Sequence, residues 1–268
     1  MATVAGADED RSVSIGRVFQ RAFSAITFNP LVILGLALVI GAIPGIIMTF
    51  LFYRLGIGAP AALRSGASVN AMIGATAVTS VLTLVISSLV QGALTRATVS
   101  AAEGRRVTFG ESLGTGLRVI LPLIGLSILL AFGLMVGFLL LVIPGIILLL
   151  MWAVAVPSLV IERVGVIGAF TRSAELTKGS KWKILALFIV LLVGYWLLSA
   201  AIALIGLGTF NAANLSASGG PTAANAIGGV IVGTIFNAVW GTIQPSLYVE
   251  LRQAKEGNSM ENLEAIFA

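Results

Sequence analysis

The chain has 268 residues, 58% of them hydrophobic and only 10% charged, with a mean hydropathy of +1.06 and a formal net charge of +5. Soluble domains carry roughly 25% charged residues, so this composition excludes a water-solvated globule and suits a single bundle of membrane helices. Cys and His are both absent, which excludes thiolate nucleophiles, disulfides, histidine bases and the usual zinc, haem and iron–sulfur ligand sets.

Residues 1–12 are small, polar and acidic, and are expected to be disordered. From Ser14 to Ile26, Ile15, Val18, Phe19, Ala22, Phe23 and Ile26 recur at helical spacing against Arg17, Gln20 and Arg21. That pattern predicts a short helix lying on the membrane before Asn29-Pro30 turns the chain inward. Four charge-free stretches follow: Ala22 to Tyr53, Ser65 to Thr95, Val119 to Ile161 and Ile184 to Val249. A spanning helix needs about 20 apolar residues, so the first two hold one span each and the last two hold two each. The six spans fall near Pro30–Tyr53, Met72–Thr95, Arg118–Leu141, Pro144–Ile161, Trp182–Ile205 and Ala226–Val249. A β-barrel is excluded by continuous apolar runs such as Met135 to Trp152, where strands would alternate. The predicted fold is therefore an all-α, polytopic six-helix transmembrane bundle over 13–257, followed by a short amphipathic tail over 258–268.

Two prolines divide the apolar runs differently. Pro144 has two readings, a kink in a long helix or the first turn of the fourth span, and the second is preferred because two crossings share 43 uncharged residues. Pro44 lies only fourteen positions after Pro30, so a kink within span one is expected. Gly41-xxx-Gly45, Gly133-xxx-Gly137 and Gly229-xxx-Gly233 offer flat faces for close helix crossings.

The basic residues are distributed unevenly. Of the 16, only Arg54 and Arg64 fall on one side of the predicted topology, and fourteen fall on the other. Loops rich in Lys and Arg stay inside, so both termini are expected to be cytoplasmic. The positive charge is thereby explained by topology and anionic headgroups, and no nucleic-acid partner is expected.

Words also repeat along the chain. Ile43-Pro44-Gly45-Ile46-Ile47 recurs at Ile143 to Ile147, and Pro157-Ser158-Leu159-Val160-Ile161-Glu162 is echoed by Pro245-Ser246-Leu247-Tyr248-Val249-Glu250. Ile15-Gly16 with Phe19, Phe109-Gly110 with Leu113, and Ile167-Gly168 with Phe170 echo one another too. These echoes predict three pseudo-repeated helical hairpins, each preceded by an interfacial helix and all in one orientation.

Two sets of residues are candidate binding groups. Before span five, Arg172, Lys178, Lys181 and Lys183 cluster beside an apolar strip of Val166, Ile167, Phe170 and Ala174, an arrangement suited to lipid headgroups. Ordinary positive-inside charge is the alternative reading of that cluster. Trp182, between Lys181 and Lys183, is a candidate interface anchor. Within the spans, Thr83, Ser87 and Gln91 share one face, and Asn237 and Gln244 another, so these five could line a polar cavity. Bonds between neighbouring helices are the alternative, worth about 0.6 kcal/mol each in lipid. No catalytic, cofactor-binding or metal site emerges, and the absence of an intramembrane acidic pair argues against an enzyme.

Ile143-Pro144-Gly145-Ile146, Arg172-Ser173 with Leu176-Thr177-Lys178-Gly179, and Tyr248, Leu251-Arg252 and Lys255-Glu256-Gly257 together carry a family resemblance. Over Ile15 to Gly257 the chain resembles the six-helix bacterial membrane domain associated with glycerophosphoryl diester phosphodiesterases, and its YciC-like relatives. Ala174 stands where that family usually has an aromatic residue. The resemblance implies a multi-pass protein of the bacterial inner membrane. It does not bring the phosphodiesterase chemistry, which belongs to a separate domain with histidines. The expected role is non-enzymatic, organising membrane or envelope components or contacting lipids, with a small-solute or lipid transporter as the alternative. Membrane lipids are the expected partners, with a membrane-protein partner or a second copy of the chain also open.

Overall fold

The structure is a computed structural model that describes residues 13–54, 69–208 and 223–267. The expected disorder of residues 1–12 lies outside the described residues. All regular elements among the described residues are helical, and six helices are long and apolar enough to cross a membrane. The all-α, six-helix membrane bundle is thus observed.

Helix α1 (Ile15–Phe28) ends at Asn29. Pro30 then opens α2 (Pro30–Leu36) at its first position, where a missing N–H is harmless. Span 1 continues through a π-helical segment, Ala37–Ala42, into α3 (Ile43–Arg54). Pro44 lacks the N–H that would bond the Ile40 carbonyl, and the wider π turn is how the helix accommodates it. The disturbance expected from Pro44 therefore takes this form.

Span 2 is α4 (Val69–Ala102). Helix α5 (Phe109–Arg118) begins with a reciprocal capping box: Thr108 Oγ1 accepts from the Glu111 N–H, and Glu111 accepts from the Thr108 N–H. Span 3 is α6 (Ile120–Leu140), and a single extended residue, Leu141, separates it from α7 (Val142–Met151). Pro144 lies in the first turn of α7, so the two IPGII words hold different positions: one inside its span, the other at the start.

Span 4 breaks at Trp152–Val154 and resumes as α8 (Ala155–Glu162). Pro157, in the first turn of α8, would clash with the Ala153 carbonyl if the helix were continuous. Helix α9 (Gly165–Thr177) supplies the missing bonds. The Val154 N–H donates to Ser173 Oγ at 3.2 Å, while Ser173 and Thr177 donate to the Met151 carbonyl at 2.9 and 3.2 Å. This repairs backbone that lipid could not solvate. It also sets the buried face of α9. Ala169, Ser173, Leu176 and Thr177 are buried, whereas Ile167, placed by its spacing in the apolar strip, is 70% exposed. Gly179 closes the helix with φ +86°, a left-handed conformation natural to glycine.

Spans 5 and 6 are α10 (Lys181–Gly208) and α11 (Ala223–Phe267). The backbone of α11 runs unbroken through the segment expected to form a separate tail. Each of α1, α5 and α9 precedes a pair of spans. Span 6 is central, packing on α1, span 1 and span 2. Glycines permit its close crossings: a Cβ on Gly233 would touch Ala42, and one on Gly41 would touch Asn237. Leu121, Leu139 and Trp196 are among the many large side chains left exposed, the surface a bilayer solvates.

Candidate functional site

Five spans enclose a cavity of about 790 Å³. The arrangement follows from span 5, which packs chiefly on span 6 and α7 and leaves spans 2 and 3 across a gap. One wall is aromatic. Trp240 stacks on Phe188 and Phe236, with centroids 5.8 and 5.9 Å away, and Tyr195 meets Phe236 at 4.8 Å. Leu126, Leu130 and Leu134 of span 3 form the facing apolar wall. Leu126 and Leu134 lie eight positions apart, a rise of about 12 Å along the bundle. Trp152 and Ala153, at the break in span 4, line the cavity too.

Its polar side chains include Ser87 and Gln91 of span 2, Ser127 of span 3, Tyr195 of span 5 and Gln244 of span 6. Ser87 donates to the Leu84 carbonyl at 3.1 Å. The amides of Gln91 and Gln244 have no hydrogen-bond partner among the described residues. Both side chains are half-buried in the cavity wall, so their amides are open to hydrogen bonding with an occupant or water. Three of the five residues expected to line a polar cavity are therefore brought together. The other two lie elsewhere. Thr83 is exposed, and Asn237 donates to the Gly233 carbonyl at 2.7 Å beside Gly41.

A second polar site lies at one end of the bundle. Glu162 accepts from Arg172 Nε at 2.8 Å and from the Tyr248 hydroxyl at 2.7 Å. Arg172 also binds Glu256, which is held by Arg252 at 2.6 Å. Burial disfavours the Arg172 charge, but hydrogen bonds to Glu256 and Glu162 outweigh it and raise its pKa above the ordinary arginine value. Nearby, Glu250 accepts from Arg17 at 2.6 Å and lies 3.3 Å from Arg21. The two glutamates end the two Pro-Ser-Leu words, and each pairs with an arginine of a short amphipathic helix. That repeat was the signal for both ion pairs.

Arg172 is thus committed to internal carboxylates and separated in role from the lysines with which its spacing groups it. Lys178 and Lys183 are exposed and Lys181 is half-buried. Trp182 is 83% exposed between them.

No protein-family model, curated protein or solved structure matches the chain. Its six apolar helices define the class: an integral, multi-pass membrane protein.

Proposed function

We propose that this is a non-enzymatic protein of the bacterial inner membrane, with both termini cytoplasmic, whose cavity holds the apolar portion of a membrane lipid. The observation that carries this reading is the lining itself. Leucine and aromatic walls suit hydrocarbon, while the unpartnered Gln91 and Gln244 amides suit an ester or hydroxyl group at one point along it. The fourteen-to-two distribution of basic residues supports the orientation. The resemblance to the phosphodiesterase-associated membrane domain supports the cellular location.

The reading predicts lipid retained by the purified protein. Native mass spectrometry after mild extraction should detect one tightly held lipid, lost when Ser127→Trp, Leu130→Trp and Leu134→Trp together obstruct the cavity and weakened by Gln91→Leu with Gln244→Leu. Equal retention by the obstructed variant would reject it.

One observation favours lipid transport as the second reading. Span 4 is interrupted at the cavity wall, and interrupted helices beside a cavity are a recurrent feature of transporters. Vesicles containing the protein would then move a fluorescent lipid between leaflets faster than empty vesicles.

A further inference from the structure

The three short helices treat their arginines differently. Those of α1 and α9 meet the glutamates Glu250 and Glu162. Span 2, which leads into α5, has no Pro-Ser-Leu word, and Glu103, which follows it, is exposed. Four arginines, Arg96, Arg105, Arg106 and Arg118, instead surround one cavity of about 420 Å³. None of the four has an ion-pair partner among the described residues. Glu111 is the acidic residue in the lining; its carboxylate accepts from the Thr108 N–H at 2.8 Å, the main reason its pKa is lowered, with smaller contributions from Arg96 and Arg105. One carboxylate against four arginines leaves the pocket positive. Arg106 lies over the Phe28 ring, 5.2 Å from the centroid.

Converging guanidinium groups repel one another, and an anion between them removes that cost. The pocket is also open to one. A Cβ on Gly110 or Gly114, both in the lining, would meet nothing within 4 Å, so α5 presents bare backbone there. Thr115 and Arg118 are shared with an adjoining groove of about 290 Å³ walled by Val119, Pro122 and Leu159, with Arg163 at its edge. Arg163 has a left-handed backbone, φ 53°, a conformation disfavoured for a non-glycine residue. A multiply charged pocket continuous with an apolar groove at the end of a membrane bundle has the form of an anionic phospholipid site.

We propose that Arg96, Arg105, Arg106 and Arg118 bind the phosphates of an anionic phospholipid headgroup, with its glycerol and upper acyl portion lying along Val119, Pro122 and Leu159. The site is separate from the cavity between the spans and does not depend on what that cavity holds.

The full-length protein in neutral detergent is offered diphosphatidylglycerol, phosphatidylcholine or inorganic phosphate, and bound ligand is counted by native mass spectrometry. The wild type should retain diphosphatidylglycerol over phosphatidylcholine by roughly tenfold or more at low salt, since each basic contact to anionic lipid contributes appreciably. Arg105→Gln with Arg118→Gln should abolish that preference. So should Gly114→Leu, which projects a branched side chain into the pocket and leaves every charge in place. The control removes comparable charge elsewhere: Lys178→Gln, Lys181→Gln and Lys183→Gln together should keep the preference. Each variant is first shown to unfold at the wild-type temperature, and Arg105→Gln alone replaces a double variant that does not. An equal loss in the lysine variant, or full retention by Gly114→Leu, would overturn the pocket as the site. Displacement of the lipid by millimolar inorganic phosphate would overturn the lipid assignment in favour of a free anion.

Discussion

Arg17 Nε and the carboxylate of Glu250 lie 2.6 Å apart although 233 positions separate them in the chain. The glutamate side chain is 3% exposed and the arginine 37%. This pair, reinforced by Arg21 and by the Ser14 N–H at 3.4 Å, fixes α1 against span 6. Breaking a fully buried pair costs about 3–5 kcal/mol, and partial exposure of the arginines reduces that. Glu250→Ala should therefore destabilise the protein by about 2 kcal/mol and free α1. Thermal unfolding in detergent and proteolysis near Phe28 would measure both effects. An unchanged unfolding temperature with α1 still protected would remove the pair from the account of the fold.

Ser173 makes a comparable prediction for span 4. Its hydroxyl accepts from the Val154 N–H and donates to the Met151 carbonyl, completing backbone freed by the break. Ser173→Ala keeps the volume close and leaves a buried N–H unpaired, which costs about 1–3 kcal/mol. Thr171→Val, at an exposed position of the same helix, should cost much less. Paired denaturation curves would separate the two, and equal costs would mean that Ser173 contributes only volume.

Glycine substitutions test the close crossings. A Cβ on Gly116 would lie 2.8 Å from the Leu89 carbonyl oxygen and 3.2 Å from the Ala93 nitrogen, whereas one on Gly45 would meet nothing within 4 Å. Backbone cannot move aside as a side chain can. Gly116→Ala should then destabilise by about 1–3 kcal/mol, and Gly45→Ala should be neutral or slightly stabilising through helix propensity. The reverse order would mean that α5 and span 2 do not cross as described.

Hydropathy made the six spans legible, because lipid allows few alternatives to continuous apolar helices. Pro144 was placed correctly by length alone. The break at Trp152–Val154 was not legible. It depends on Ser173 and Thr177 reaching back about twenty positions, and no local pattern announces such a repair. The cavity was half legible: Ser87, Gln91 and Gln244 share helix faces in the sequence, but the position of span 5 decides which faces meet a gap. Arg96, Arg105, Arg106 and Arg118 were legible only as topological charge. Their convergence depends on the turn at Gly104, with φ +72°, and on the Thr108 cap.

The last prediction concerns orientation. Asn29 donates to the Val107 carbonyl at 2.8 Å, Lys255 donates to the Glu175 carbonyl, and Arg17 meets Glu250, so α1, α5, α9 and the latter part of span 6 gather at one end. Leu141, the one-residue link between spans 3 and 4, lies a full span away at the other. The chain contains no Cys, so single cysteines report without background. Cysteines at the exposed positions Glu103, Lys178 and Lys255 should label together with an impermeant maleimide only after the cells are opened, while Leu141→Cys should label in intact cells. The direction follows from the excess of basic residues at the first end, which holds that end inside. Labelling of all four positions from one side would contradict the packing itself. Labelling of the first three in intact cells would keep the packing and invert the orientation.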